Sequence, residues 1–159
     1  PARVHHFYLD NFYNANRLAL GEMKLAGERL DLGKVTLPTY HVATKEDHIA
    51  PPQSAYRGAR LLGSRNASFV LSGSGHIAGV VNPPDAKKYQ FWTKKGLKEN
   101  SLEGWMDGTE ETAGSWWPHW DKWLTARGKR MVPARQPGAV NGVVEDAPGR
   151  FVKVRFDER

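Results

Sequence analysis

Two side chains suited to proton transfer, Asp47 and His76, each follow directly after a predicted strand and lie 29 residues apart. Open α/β sheets place their reactive loops at the carboxyl ends of strands, so we expect both side chains at one edge of a sheet. A histidine accepts a nucleophile's proton near neutral pH, and a carboxylate on its other ring nitrogen fixes the tautomer and stabilises the imidazolium. The pair alone is weak evidence of catalysis, because an Asp and a His on adjacent loops occur in many unrelated proteins.

The other candidate residues are histidines, since the sequence has no cysteine. His48 stands next to Asp47, but adjacent side chains of an extended loop point apart, so we interpret His48 as structural or as part of the substrate-binding pocket. The remaining histidines show no metal-ligand spacing with carboxylates, and we predict no metal site; they are His5, His6, His41 and His119. The lack of cysteine excludes disulfides, thiolate zinc sites and a cysteine nucleophile within this chain.

The elements around Asp47 and His76 predict a βαβ unit. They are a strand from Leu37 to Ala43, a helix from about Ser54 to Leu62 and a strand from Ser68 to Leu71. This order favours a parallel pair of strands with a right-handed crossover. Parallel strands are normally buried on both faces, so we expect partner strands outside this sequence to complete the sheet. The chain is therefore predicted to be a piece of a larger domain or to be completed by another polypeptide.

The rest of the chain has weaker patterns. We predict a helix over residues 3–18, an extended connection over 23–35, a loop-rich basic surface after Pro84, a helix over 115–124 and a short strand over 151–156. Trp116, Trp120 and Trp123 fall on one stripe of the helix over 115–124. Such a stripe is typical of core or of a docking surface, and contact with an apolar polymer is the alternative.

Composition narrows the class of protein. The chain has 159 residues, 40% of them hydrophobic, which suits one ordinary domain. Its formal charge of +6 comes from scattered basic residues that form no stripe, so we predict no nucleic-acid partner. No run approaches the roughly 20 apolar residues of a membrane span, and the first residues lack the pattern of a secretory signal. We therefore expect a cytoplasmic protein.

Longer motifs carry a family resemblance. The segments 45–51 (KEDHIAP) and 74–84 (SGHIAGVVNPP) resemble two signature loops of the class I polyhydroxyalkanoate synthases. Further segments are similar in order and approximate spacing, and the resemblance covers nearly the whole chain; they are 7–18, 31–33, 116–118 and 147–150. The loop around His76 is the most specific part.

The resemblance implies a fold and a domain division. In this family the catalytic domain has an α/β-hydrolase fold, in which the nucleophile precedes the acid and the acid precedes the histidine. The chain would then be the C-terminal portion of that fold, incomplete as it stands. Residues 1–35 would be a cap or lid-like segment, and residues 36–159 the C-terminal part of the core with the acid and base loops.

The resemblance also implies a reaction and partners. A cysteine attacks an (R)-3-hydroxyacyl-coenzyme A thioester, and the acyl group passes to a growing polyester. His76 would be the base and Asp47 would orient it, with Asp47 also a candidate to activate the substrate's 3-hydroxyl. No cofactor is implied, because coenzyme A is the leaving group. The implied partners are the substrate, the polyester, the missing N-terminal half and, for the full-length protein, a second copy, at the surface of cytoplasmic granules.

The sequence departs from the family in one respect, which leaves alternatives open. The nucleophile elbow and its cysteine are absent, so we predict that the isolated chain is inactive. A fragment of a serine esterase or lipase would share the Asp and His order. A non-catalytic module that binds granules or a synthase through the tryptophan helix is the alternative from a different class.

Overall fold

The fold of the chain is mixed α/β. The computed structural model describes residues 1–128 and 131–158, which form two compact units, residues 1–124 and residues from Thr125 onward. The helices and strands are α1 (Ala2–Tyr8), β1 (Lys24–Leu25), β2 (Glu28–Arg29), β3 (Thr39–Thr44), α2 (Pro52–Arg60), β4 (Ala67–Ser72), β5 (Gln90–Lys95), α3 (Leu102–Met106), β6 (Glu110–Ala113) and α4 (Trp117–Thr125).

The first residues form a helix and a small hairpin. α1 continues as a π-helical segment, Leu9–Asn14, and the helical run ends before Asn16, whose φ is +46°. The predicted helix is therefore confirmed but stops short of Leu18. β1 and β2 pair antiparallel through Ala26 and Gly27, which both have positive φ, as the tightest hairpin turns require.

Four strands form one mixed sheet in the order β3-β4-β5-β6. β3 and β4 run parallel, with Thr44 opposite Ser72, and α2 makes the crossover, so the predicted βαβ unit is confirmed. We expected partner strands outside this sequence to complete the sheet, and on one side of β4 this is wrong. On that side β5 pairs antiparallel with β4, and β6 pairs antiparallel with β5. Both strands lie in a stretch that was predicted to be loop-rich. The sequence of β6, EETA, lacks the apolar alternation that would have indicated a strand, and all four residues are exposed.

Apolar side chains cover both faces of this sheet. Successive residues of a strand point to opposite faces, so Phe69 of β4 packs on one face and Val70 on the other. The first face centres on Trp105 of α3, which is fully buried with its ring centroid 5.1 Å from that of Phe69. The second face holds Val70, Phe91 and Trp116 beside the start of α4. Core packing on both faces of the sheet therefore holds β3 and β4 in place, and the loops that follow them begin at well-packed strand ends.

The tryptophan stripe is only partly buried. Trp116 lies just before α4 and is 8% exposed, whereas Trp120 is 41% exposed. The interpretation of the stripe as core therefore holds for Trp116 and is wrong for Trp120. Trp123 is half-buried, and its ring centroid lies 5.4 Å from that of Tyr40 on β3. Pro118 stands in the first turn of α4, where its missing N–H breaks no helical hydrogen bond.

The second unit contains turns and short 3-10 segments. Phe151–Lys153 and Phe156–Glu158 are 3-10 turns, so the strand predicted over 151–156 is wrong. Phe151 and Phe156 are exposed, and the alternating pattern there has no neighbouring strand to pair with among the described residues. Residues 129, 130 and 159 of the predicted core region lie outside the described residues. In the described part of the chain, no helix is long and apolar enough to cross a membrane.

Candidate functional site

Asp47 sits in a tight turn between β3 and α2, here called the Asp47 loop (residues 45–51). Its Oδ1 accepts hydrogen bonds from the backbone N–H groups of Ile49, at 2.9 Å, and Ala50, at 2.8 Å. Its Oδ2 accepts from Thr44 Oγ1 at 3.1 Å. An Asp that bonds the N–H groups two and three residues ahead shapes its own turn, so the sequence builds this loop locally.

These bonds stabilise the charged form of Asp47. The pKa of its carboxyl lies well below the ordinary value, because the Ala50 N–H, His76, the Ile49 N–H and the Thr44 hydroxyl all donate to it. Partial burial works in the opposite direction and is outweighed. Asp47 therefore stays a carboxylate, which can only accept hydrogen bonds, throughout the pH range where a histidine titrates.

His76 lies in the segment between β4 and the 3-10 turn Pro84–Ala86, in what is here called the His76 loop (residues 73–81). Ser74 has a φ of +72°, which turns the chain sharply before the histidine. The backbone connects this loop to the Asp47 loop, since Lys45 N donates to Ser72 O at 2.8 Å and Glu46 N to Ser74 O at 3.0 Å. The two loops therefore continue the parallel pairing of β3 and β4 beyond the sheet.

The structure brings Asp47 and His76 into direct contact. His76 Nδ1 lies 2.8 Å from Asp47 Oδ2. The side chain of Asp47 is 6% exposed and that of His76 is 40% exposed. Because the ionised carboxylate is an acceptor, Nδ1 carries the proton and Nε2 of the neutral ring keeps its lone pair. An imidazole that is oriented by a carboxylate and is 40% exposed is chemically suited to accept a proton at Nε2.

Relatives of known name match this chain from end to end. It is 55% identical over 155 residues, 98% of its length, to the poly(3-hydroxyalkanoate) polymerase subunit PhaC of Rhizobium meliloti (strain 1021). The corresponding values are 46% over 157 residues for the poly(3-hydroxyalkanoate) polymerase of Methylorubrum extorquens and 41% over 158 residues for the PhaC subunit of Cupriavidus necator. The resemblance to the polyhydroxyalkanoate synthases is confirmed.

The match covers only part of each poly(3-hydroxyalkanoate) polymerase. The chain spans 25% of the Rhizobium meliloti protein and 26% of the Methylorubrum extorquens and Cupriavidus necator proteins. Most of each polymerase therefore has no counterpart in this sequence. No family model matches the chain.

Of the other histidines, His119 has the best-defined environment. His48 is exposed, and its place in a substrate pocket of the polymerase stays a prediction. His119 Nδ1 lies 2.7 Å from the hydroxyl of Tyr40, and burial followed by the charge of Lys122 lowers the pKa of His119. Burial also lowers the pKa of His41.

No cluster of three or more His, Cys, Asp or Glu side chains that could hold a metal ion occurs within residues 1–128 and 131–158.

Sequence reasoning missed the residues that support the pair. Thr44 is buried and donates to Asp47, and the backbone N–H groups of Ile49 and Ala50 complete its shell. The Asp47-His48-Ile49-Ala50 spacing is a signal that could have revealed this turn. A cleft of about 580 Å³ elsewhere on the first unit includes neither Asp47 nor His76; it is lined by Leu18, Ala19, Leu20, Gly21, Arg29, Asp31, Leu32, Gly33, Lys34 and Leu61.

Proposed function

We propose that this chain supplies the acid and base of a poly(3-hydroxyalkanoate) polymerase. The observation that carries the proposal is the 2.8 Å contact between His76 Nδ1 and Asp47 Oδ2, within a chain that matches such polymerases over 98% of its length. The mixed sheet would be the C-terminal portion of an α/β-hydrolase fold, with residues 1–35 as its cap segment. The parallel β3–β4 pair with both loops at its carboxyl edge supports this assignment.

In the proposed reaction, a cysteine from the rest of the polymerase is the nucleophile. His76 Nε2 accepts the thiol proton, and the thiolate attacks the thioester carbonyl of an (R)-3-hydroxyacyl-coenzyme A. The imidazolium returns the proton to the departing coenzyme A thiolate. A hydroxyl group then attacks the acyl–cysteine, His76 takes the hydroxyl proton, and the proton passes to the released cysteine.

The role of Asp47 in this scheme is to orient His76 and to stabilise its protonated ring. Four donors already occupy the two carboxylate oxygens, and the side chain is 6% exposed. These contacts favour the orienting role over direct contact with the substrate's 3-hydroxyl. His48 is exposed beside the pair and is proposed to contact substrate without taking part in proton transfer.

The proposed partners follow from the polymerase assignment. They are the hydroxyacyl-coenzyme A substrate, the polyester chain, the remainder of the polymerase and a second full-length copy, at the surface of cytoplasmic granules. Coenzyme A leaves with each acyl transfer, so the proposal requires no separate cofactor.

The proposal is tested in the full-length polymerase that contains this sequence, with His76→Ala, Asp47→Asn and His48→Gln. Acyl–enzyme formation and polymer release are followed separately. His76→Ala is expected to lower both by several orders of magnitude, because it removes the base. Asp47→Asn places an amide N–H against Nδ1 and favours the wrong tautomer, so a loss of about 10²- to 10⁴-fold is expected.

His48→Gln is the matched control, since it alters the neighbouring side chain of the same loop. Because His48 is proposed to contact substrate without transferring protons, its replacement is expected to lower activity far less than His76→Ala or Asp47→Asn. Full activity of His76→Ala, or a His48→Gln variant as inactive as His76→Ala, would contradict the assignment of the base.

A further inference from the structure

The His76 loop has a second set of contacts, at Gly79 and Val80. The carbonyl oxygen of Gly79, three residues after His76, accepts two hydrogen bonds. Ser72 Oγ donates to it at 2.7 Å and the indole Nε1–H of Trp116 donates at 3.1 Å. Ser72, Gly79 and Trp116 are all buried, so these bonds form where water does not compete.

The next residue pair repeats the arrangement. The indole Nε1–H of Trp117 donates to the carbonyl oxygen of Val80 at 3.0 Å. Two consecutive tryptophans at the start of α4 therefore bond two consecutive carbonyls of the His76 loop. The sequence separation is 37 residues in both bonds, so they connect the loop to a different element of the fold.

Trp116 is itself part of the hydrophobic core on the second face of the sheet. It packs with Val70 and Phe91 on the second face, and its ring centroid lies 6.3 Å from that of Tyr40. The position of its Nε1 is thus set by the core and not by solvent-exposed groups. Through this bond the core also sets the position of Gly79 and of the loop that carries His76.

We propose that Trp116 and Trp117 are positioning residues for His76, an inference that rests on the proposed role of His76 as the base. The bond to Asp47 fixes the rotation of the imidazole, and the bond from Glu46 N holds the start of the loop at Ser74. The two indole N–H groups, together with Ser72 Oγ, hold the part of the loop after His76 and so help to set where Nε2 meets the nucleophile. Displacements of about 1 Å at such a group lower turnover by about 10²-fold.

The test uses Trp116→Phe and Trp117→Phe in the full-length polymerase. Each change keeps an aromatic ring and removes the indole N–H. Trp120→Phe is the matched control, because it makes the same change on the same helix and Trp120 packs against Trp116 with centroids 5.9 Å apart. Measured quantities are kcat and KM for a hydroxyacyl-coenzyme A, the rate of alkylation of the nucleophilic cysteine, and the denaturant midpoint of unfolding.

The expected result is a fall in kcat and in the alkylation rate of about 10- to 100-fold for both test variants, with KM little changed. The unfolding midpoint of Trp117→Phe should stay close to that of Trp120→Phe, whereas that of Trp116→Phe should be lower, because Trp116 is 8% exposed and Trp120 is 41% exposed. Combining Trp116→Phe with Ser72→Ala removes both donors to the Gly79 carbonyl, so kcat should fall by more than the product of the two single effects.

Three outcomes separate this inference from the proposed function. If His76→Ala is inactive but both tryptophan variants match Trp120→Phe in kcat, the positioning role is overturned and the proposed function stands. If His76→Ala keeps activity, the proposed function fails and the positioning role fails with it. The positioning role is also overturned if kcat falls only in proportion to the loss of folded protein at the assay temperature. Trp117→Phe is the variant expected to fold normally, because Trp117 is half-buried at the surface.

Discussion

Replacing Gly79 with Ala is expected to disturb the Asp47–His76 pair without changing either residue. A Cβ at Gly79 would lie 2.6 Å from the carbonyl oxygen of Gly73 and closer still to Cγ2 of Thr44. Thr44 is 1% exposed and donates to Asp47, so it cannot move away without changing that bond. The loop has to shift by about 1 Å to restore ordinary contact distances, which begin near 3.4 Å.

The magnitude follows from this overlap. Adding one methyl group to a closely packed site costs about 1–3 kcal/mol of unfolding free energy. His76 lies three residues away on the same loop, so a shift of about 1 Å should lower turnover by about 10²-fold. The kinetic effect is therefore expected to exceed what the loss of stability explains.

Gly75→Ala is the matched control for this prediction. Its Cβ would lie 3.8 Å from the carbonyl oxygen of Glu46, an ordinary contact, and Gly75 directly precedes His76. Denaturant unfolding and polymer synthesis are compared for both variants of the full-length polymerase. If Gly79→Ala is as stable and as active as Gly75→Ala, the close packing described for the His76 loop is wrong.

Two further predictions concern the sheet faces. His119 has a pKa below its usual value, so at this residue the unfolded chain binds more protons than the folded chain does. The free energy of unfolding should therefore fall as the pH drops below about 6.5. His119→Asn should reduce this fall when denaturant midpoints are compared at pH 7 and pH 5. A pH dependence unchanged in His119→Asn would argue against it. Trp105→Ala should lower the unfolding free energy by about 3–5 kcal/mol, because the ring is fully buried, and Trp120→Ala by less than half of that, because Trp120 is 41% exposed. Equal losses in the two variants would show that burial does not set the difference.

The contact between Asp47 and His76 could be predicted because its signals are local. Asp47 and His76 each follow a strand with clear boundaries, and the crossover through α2 places the two strand ends side by side. The supporting contacts could not be predicted in the same way. The bonds from Trp116 and Trp117 join residues 37 positions apart, and a tryptophan pair before a helix has the same pattern whether its N–H groups bond a loop or face water.

The antiparallel half of the sheet was missed for a physical reason. β5 contains Lys94, which donates to the carbonyl oxygen of Asp107 and pairs with Glu99, so its charge is used inside the fold although the sequence reads as a solvated surface. All residues of β6 are exposed, and the strand pairs with β5 through its backbone. The reverse error occurred at 151–156, where an alternating apolar pattern alone does not make a strand without a partner.

The register of β3 and β4 divides the chain into lengths that must be kept and lengths that can vary. Thr44 pairs with Ser72, Asp47 follows Thr44 by three residues, and His76 follows Ser72 by four. One residue inserted into either short interval would turn a side chain away from its partner. The turn between α2 and β4 carries no such restriction, because its length alters neither the pairing of the strands nor the core packing of Tyr56 and Ala59 on α2. Related chains should therefore tolerate insertions there, and the spacing between acid and base along the sequence is a poor guide to whether the pair is intact.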